Sequence, residues 1–157
     1  MEIEIGISKK GLHEVAEAMR TFLATTYALY LKTQNFHWNL VGMEFFSLHK
    51  LFEMQYEEMA EGVDEIAERV RSLGSYVDGS FSSFGKRSLI SDCNKMLPAK
   101  KMIKELLEGH EEICRFGRPL ITRTQELHDD ITGDLIIKRM AFHEKAAWML
   151  RSHLQNS

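Results

Sequence analysis

Proline and cysteine are both rare in this chain, and each shortage excludes a class of protein. Only two prolines occur in 157 residues, while methionine, leucine, glutamate, alanine and lysine are plentiful, so the composition favours helices. The two cysteines, Cys93 and Cys114, are too few for a disulfide framework and fit a reducing compartment. A disulfide-rich secreted domain is therefore excluded.

Long apolar runs and a strong excess of one charge are also missing. No run of about 18 apolar residues could span a bilayer, and the first ten residues have neither the charge nor the apolar core of a signal peptide. The net charge is -3, so the chain has no overall electrostatic attraction for nucleic acid or anionic membrane. We therefore expect one cytoplasmic domain with a sizeable core and no membrane partner.

Apolar residues recur at three- and four-residue intervals along four stretches, which predicts four long helices. These helices cover residues 9–38, 45–73, 98–127 and 130 to the C-terminus. Gly117 and Pro119 predict an interruption and a kink in the third helix, because proline has no amide hydrogen to donate to residue 115. The fourth helix follows the segment HDDITG, and Asp130 or Thr132 is predicted to cap it.

The connections between these helices predict their arrangement. A turn of about five residues around Gly42 makes the first two helices antiparallel neighbours. The segment before the third helix is rich in glycine and serine and too long for a hairpin, so we interpret it as a crossover along the bundle with a short helix over residues 89–93. The sequence therefore predicts an all-α, ferritin-like four-helix bundle with a long crossover containing a short helix, in a single domain over residues 1–157.

Five potential metal ligands lie between residues 37 and 68. His49 and Glu53 are four residues apart on the second helix. Asp64 and Glu68 repeat that spacing, and at roughly 100° per residue all four side chains fall in one strip about 100° wide. Glu53 and Asp64 are nevertheless about 16 Å apart along the axis at ~1.5 Å per residue, too far for one metal ion with ~2 Å bonds. Each pair therefore needs ligands from elsewhere.

The two pairs are symmetric about a point between residues 58 and 59. If two copies of the helix pack antiparallel about a two-fold axis at that point, His49 meets the partner's Glu68. Glu53 then meets the partner's Asp64. His37, at the end of the first helix, can fold back over the start of the second as a fifth ligand. The spacing predicts two equivalent metal sites shared between two chains.

A simpler interpretation applies to either pair alone. A histidine–glutamate or aspartate–glutamate pair at this spacing is usually part of a solvated face or a weak surface contact. The symmetric arrangement with a flanking histidine is what favours a metal site. A site inside one bundle is disfavoured, because it would use Glu-x-x-His motifs and none of the seven histidines has a glutamate three residues before it.

The segments that carry these residues resemble a known family. LYLKTQNFHWNLVGMEFFSLHKLFE, YEEMAEGVDEIAERVRSLG and HEKAAWMLR are similar to the Dps mini-ferritins, and the match covers nearly the whole chain, over residues 5–154. In that family the corresponding histidines and carboxylates form a ferroxidase centre across a two-fold interface. The resemblance implies that the catalytic, metal-binding residues are His37, His49, Glu53, Asp64 and Glu68.

The family's activity is what the resemblance implies for this chain. Dps proteins typically oxidise two Fe(II) with hydrogen peroxide, so that water and not hydroxyl radical is released, and store the ferric mineral in a hollow dodecamer. We expect this iron storage and detoxification here, with peroxide as co-substrate and a homo-dodecamer built from two-fold dimers. Imidazole and carboxylate ligands suit both oxidation states of iron. Glu53 stands where many members have aspartate, a one-methylene change that could shift the metal.

Residues beside this site have two interpretations each. Trp38 either intercepts stray one-electron oxidants or packs as an interface aromatic. Glu57 and Glu61 either seed mineral on a cavity wall or belong to a solvated acidic face.

Other clusters are interpreted more simply. Asp129, Asp130 and Asp134 could form an acidic funnel for Fe(II) around a three-fold axis, or could serve in helix capping. His110 and Cys114 are four residues apart, but structural zinc needs four protein ligands, so no zinc site is expected. His143 is expected to pack or form a hydrogen bond.

The competing function is that of a nucleoid protein that condenses DNA, as some relatives do through a mobile lysine-rich tail. Here Lys9 and Lys10 are offset by Glu2 and Glu4, and the C-terminal segment offers little beyond Arg151. Neutralising phosphates requires clustered cations. We therefore expect DNA binding to be weak or absent.

Overall fold

The computed structural model of the protein describes residues 3–155, which form five helices and no strand in that range. The helices are α1 (Lys9–Asn39), α2 (Phe45–Ser72), α3 (Phe81–Arg87), α4 (Ala99–Glu126) and α5 (Asp130–Ser152). The main contacts pair α1 with α2 and α4 with α5, while α3 lies against α1. The predicted all-α bundle with a helix-containing crossover is confirmed. None of the helices in the described range has the length and apolarity needed to cross a membrane.

The apolar stripes of the four long helices form one core. The predicted stripe of α1 is buried from Leu12 to Leu23, and that of α2 is buried at Leu48, Phe52, Met59, Ile66 and Val70. Tyr27 and Tyr30, farther along α1, are half-buried and pack against aromatic rings of α3 and α2.

The ends of the first two helices follow from local chemistry. Ser8 caps α1, since its Oγ accepts a hydrogen bond of 3.1 Å from the amide of Gly11. Gly74 follows α2 with φ of 84°, in the left-handed region that favours glycine, and it confirms the predicted end of that helix. The turn between α1 and α2 contains Gly42 at φ of 115°.

The predicted position of the short crossover helix is wrong. The helix is α3, and residues 89–93 are not helical. Ser80 caps α3 by accepting from the amide of Ser83 at 3.2 Å. In contrast, the amide of Leu89 donates to Thr25 Oγ1 at 3.1 Å, so the backbone there is held by a side chain of α1 and not by helical hydrogen bonds.

The predicted interruption of the third helix is also wrong, because α4 continues through Pro119. Pro119 has no amide hydrogen, so the carbonyl oxygen of Arg115 has no helical donor. Both residues are exposed, and water can donate to that carbonyl instead. Gly117 serves close packing instead of ending a helix. A Cβ there would lie 3.0 Å from Met140 Sδ and 3.2 Å from Phe22 Cε2.

Two histidines are fully buried between α4 and α5. His110 Nδ1 lies 2.8 Å from His143 Nδ1, so one ring donates and the other, whose Nδ1 carries no proton, accepts. Burial is the main cause that lowers the pKa of His110 to about 3, with a smaller effect from the charge of Arg139. Burial also lowers the pKa of His143 well below its ordinary value. The expected hydrogen-bonding role of His143 is confirmed.

This pair should make the fold sensitive to mild acid. Unfolded histidine takes up protons below its ordinary pKa of 6.5, whereas the buried pair resists them, so the stabilisation is complete above that pH and is lost as pH falls. From pH 7 to pH 5.5 we expect the free energy of unfolding to drop by about 1 kcal/mol through His110, with His143 adding to it. Urea unfolding at both pH values measures the change.

The exposed His13 provides the control for this experiment. His13→Gln should keep the full dependence on pH, and His110→Leu combined with His143→Leu should lose most of it. Equal stability of the wild type at pH 7 and pH 5.5 would contradict the assignment.

Candidate metal centre

Two histidines lie stacked where α1 turns into α2. His37 is in the last turn of α1 and His49 near the start of α2, with ring centroids 3.7 Å apart and planes 16° apart. His37 Nδ1 is 2.8 Å from the carbonyl oxygen of His49, and His49 Nδ1 is 3.0 Å from that of His37. The predicted folding of His37 over the start of the second helix is confirmed.

These reciprocal hydrogen bonds fix the chemistry of both rings. A carbonyl oxygen only accepts, so both Nδ1 atoms donate, and in the neutral rings both Nε2 atoms carry the lone pair. Metal-binding histidines are commonly held in this way, with one ring nitrogen donating to a carbonyl and the other binding the metal. The turn therefore presents two oriented imidazoles whose Nε2 atoms are available to bind a cation.

Aromatic side chains hold the two rings in place. The Phe45 ring stacks on His49 with centroids 4.9 Å apart, and Tyr56 meets His37 edge-on at 5.1 Å. His37 is only 6% exposed, so its ring has little freedom to turn. Burial is the main cause that raises the pKa of Tyr56, which keeps its phenol neutral at physiological pH.

Glu53 follows His49 by one turn and is half-buried. Its carboxylate accepts a hydrogen bond of 2.6 Å from Lys50 Nζ, and this bond is the main cause that lowers the pKa of Glu53. The carboxylate is thus ionised and able to bind a cation. Because the Lys50 side chain is 57% exposed, it can swing into solvent and release Glu53.

Asp64 and Glu68 are exposed on the far half of α2. The helix is continuous from Phe45 to Ser72, so Glu53 and Asp64 are about 16 Å apart along its axis. Within one chain, residues 3–155 contain no group of three or more histidine, cysteine or acidic side chains placed to hold a metal ion. The fold therefore brings His37 and His49 into contact, with Glu53 one helical turn after His49, but these three do not form a complete metal-binding group within one chain. Asp64 and Glu68 lie farther along α2.

The surface of α2 between the His49–Glu53 pair and the Asp64–Glu68 pair suits the approach of a second helix. Ala60 is exposed and Ala67 half-buried on the same strip, and small side chains let another backbone approach closely. Glu57 and Glu61 are exposed beside this strip, so both interpretations of these acids stay open. Trp38 is 62% exposed and forms no ring contact with the described aromatic side chains.

An ion pair between a buried arginine and a half-buried glutamate joins α5 to the middle of α2. Arg139 of α5 is 1% exposed and donates to both carboxylate oxygens of Glu58, at 2.6 and 2.8 Å. Its guanidinium carbon also lies 5.1 Å from the centroid of the Phe142 ring. Gly62 makes room for this arginine, since a Cβ there would lie 2.7 Å from Arg139 Nε and closer still to the guanidinium carbon.

The acidic cluster before α5 is divided between two roles. Asp129 is 1% exposed and caps the helix, accepting from the Thr132 amide at 3.0 Å and pairing with Arg69 at 2.7 Å. The predicted caps Asp130 and Thr132 are therefore wrong, because the residue before the helix has the free side chain that reaches the first amides. Only the exposed Asp130 and Asp134 could attract cations from solvent.

Cys114 does not complete a zinc site with His110. Burial is the main cause that raises the pKa of the Cys114 thiol to about 11, so it stays protonated at neutral pH, whereas zinc binds the thiolate. The Nδ1 of His110 is already bonded to His143.

Two features of the site were not predicted from the sequence. The contact of Tyr56 with His37 could have been predicted from the sequence spacing. Tyr56 is seven residues after His49, and two helical turns place both on one face of α2. The ion pair between Arg139 and Glu58 could not have been anticipated, since those residues are 81 positions apart and no pattern links them.

Comparison with known proteins adds independent observations. The chain matches the ferritin-like domain family over residues 16–157. It is 31% identical to the DNA protection during starvation protein 2 of Bacillus anthracis, covering 90% of this chain and 97% of that protein. It is 37% identical to an uncharacterized low temperature-induced protein of a Nostoc species, covering 98% of this chain and 87% of the relative.

A solved structure shows the same fold. The DPS protein of Vibrio cholerae, described as a member of a broad superfamily of ferritin-like diiron-carboxylate proteins, superposes with a TM-score of 0.93 at 28% identity. The match covers 99% of this chain and 98% of the other.

Proposed function

Because the chain belongs to the Dps proteins of the ferritin-like family, we propose that it stores and detoxifies iron by oxidising Fe(II) to Fe(III). Hydrogen peroxide is the oxidant, and two Fe(II) supply its two electrons: 2 Fe(II) + H₂O₂ + 2 H⁺ gives 2 Fe(III) + 2 H₂O. Oxidation in pairs releases water in place of hydroxyl radical. The ferric product then collects inside a hollow oligomer, a dodecamer of two-fold dimers.

Each ferroxidase site takes ligands from two chains. One chain supplies His37, His49 and Glu53, and a second copy with its α2 antiparallel supplies the partner's Asp64 and the partner's Glu68. The imidazoles bind iron through Nε2, and the carboxylates balance the charge that the metal gains on oxidation. Ligands for a substrate metal should leave coordination positions open to the oxidant.

The reciprocal histidine pair is the observation that carries this proposal. A histidine that merely packs at a surface has no need to have its Nδ1 fixed and its Nε2 left free. Here both rings have that arrangement at once, within 3.7 Å of each other and beside an ionised carboxylate.

The test is a measurement of iron oxidation in which Fe(II) and peroxide are added separately. Fe(II) is added without oxygen, peroxide follows, and ferric absorbance is recorded for the wild type and for His37→Ala combined with His49→Ala. We expect rapid oxidation by the wild type and a rate no greater than that of buffer for the double variant. His13→Ala, at an exposed histidine, is the matched control and should behave as wild type. Equal ferric growth in the wild type and the double variant would refute the site.

DNA condensation is the weaker candidate. The relatives' name refers to DNA protection, but this chain has a net charge of -3, and many of its cations are paired with carboxylates. Phosphate binding needs clustered, available cations. We therefore propose that any protection comes from removing iron and peroxide.

A further inference from the structure

Three of the four tyrosines form a continuous row that ends at the candidate metal centre. The ring centroids of Tyr27 and Tyr30 are 5.6 Å apart, those of Tyr30 and Tyr56 are 6.1 Å apart, and those of Tyr56 and His37 are 5.1 Å apart. The interplanar angles are 63°, 75° and 79°, so each ring meets the next edge-on. The fourth tyrosine, Tyr76, lies in the crossover and is 72% exposed.

This row extends from His37 through one ring of α2 to two rings of α1. Tyr56 is on α2, and Tyr30 and Tyr27 are nearly one turn apart on α1. Tyr27 also contacts Phe84 of α3 at 4.8 Å, and all three tyrosines are half-buried. The phenol oxygen of Tyr30 accepts a hydrogen bond of 3.4 Å from Gln34.

We propose that Tyr56, Tyr30 and Tyr27 form a relay that removes one-electron oxidising equivalents from the metal centre, an inference that rests on the proposed ferroxidase function. The need arises when a site holds a single Fe(II). Peroxide then takes only one electron: Fe(II) + H₂O₂ + H⁺ gives Fe(III) + H₂O + hydroxyl radical. That radical would attack the nearest side chains, among them the ligand histidines.

The relay consumes this radical. Tyr56 gives its phenolic hydrogen atom to the hydroxyl radical, forming water and a tyrosyl radical. Tyr30 then gives one electron and one proton to restore Tyr56, and Tyr27 does the same for Tyr30. A second Fe(II) closes the cycle by reducing the radical at Tyr27: tyrosyl radical + Fe(II) + H⁺ gives tyrosine + Fe(III). The sum is again two Fe(II) oxidised and one peroxide reduced to two waters.

Tyr56 is better placed than Trp38 to receive the first one-electron oxidising equivalent. Tyr56 contacts His37 directly and continues into two further phenols, whereas Trp38 is mostly exposed and meets no ring in the described range. A radical on an isolated exposed tryptophan would stay at the surface and react with other molecules.

Freeze-quench electron paramagnetic resonance tests the relay. The assembled protein receives less than one Fe(II) per site and then peroxide, and a spin trap in parallel samples reports escaping hydroxyl radical. The wild type should show a tyrosyl signal that narrows when its tyrosines carry ring deuterium. Tyr56→Phe keeps the ring but lacks the phenol, so it should lose this signal and yield severalfold more spin adduct. Tyr76→Phe, the matched control, should show the wild-type signal and the wild-type adduct.

The outcomes separate the relay from the ferroxidase function. If the wild type oxidises iron but Tyr56→Phe keeps the tyrosyl signal, or Tyr76→Phe loses it equally, the relay is wrong and the ferroxidase proposal stands. If the wild type oxidises iron no faster than buffer, both are wrong. Tyr27→Phe adds a direct check, because a working relay should then hold its radical longer at Tyr30 or Tyr56.

Discussion

Alanine in place of Glu68 is expected to slow peroxide-dependent iron oxidation as strongly as alanine in place of His49. Loss of an outer-shell partner of a metal ligand already costs roughly 10–100-fold, so loss of a direct ligand should cost about 100-fold or more. The two residues lie 19 positions apart on one continuous helix, about 28 Å along its axis. Equal effects from such distant positions are expected only if two chains share each site.

Initial rates of ferric formation measure this prediction. Glu65→Ala is the matched control, because Glu65 is on the same helix but accepts a hydrogen bond from Lys138 of the same chain at 2.7 Å. It should retain most of the activity. A Glu68→Ala protein that oxidises iron at the wild-type rate, while His49→Ala does not, would show that the carboxylates come from elsewhere.

Replacing Gly62 by alanine is expected to destabilise the fold by about 3 kcal/mol. The new Cβ would occupy the space of the Arg139 guanidinium, which is buried and bonded twice to Glu58. The arginine must then move and leave a buried charge poorly paired. Urea unfolding measures the loss as a lower midpoint with an unchanged slope.

Two variants give this experiment its controls. Gly85 has no atom within 4 Å of an added Cβ and lies in α3, so Gly85→Ala should leave stability unchanged or raise it by less than about 1 kcal/mol. Adding Arg139→Met to Gly62→Ala removes the clash and the buried charge together, and should recover much of the loss. A wild-type midpoint for Gly62→Ala alone would show that Arg139 is not confined as described.

The sequence predicted the long helices and the position of the histidines well, because both depend on short-range patterns. The stripe of α2 has a regular period, and Gly74 ends that helix in the left-handed conformation that the residue type favours. His37 and His49 were expected to be neighbours across a tight turn. Their stacking and their bonds to each other's carbonyls depend on the detailed path of that turn, which no residue pattern specifies.

The errors occurred where a distant residue decides the local structure. The amide of Leu89 is held by Thr25, 64 positions earlier, so residues 89–93 do not form the predicted helix. Gly117 and Pro119 resemble a helix stop, but Gly117 is needed for contact with Met140 and α4 continues. The tyrosine row likewise joins α1 to α2 through rings that periodicity alone marks only as a core stripe.

The shared site is the central claim, and complementation between two inactive variants tests it most directly. His49→Ala and Glu68→Ala chains are mixed in equal amounts, unfolded, and reassembled together. In a mixed dimer, one site loses both residues, and the other combines an intact His49 with an intact Glu68 from its partner. Random pairing then leaves about a quarter of all sites intact.

The account predicts that the mixed protein regains about a quarter of the wild-type rate of iron oxidation, while each variant reassembled alone stays inactive. A mixed protein that assembles normally but is as inactive as its two parents would contradict a site built from the half-sites of two antiparallel chains.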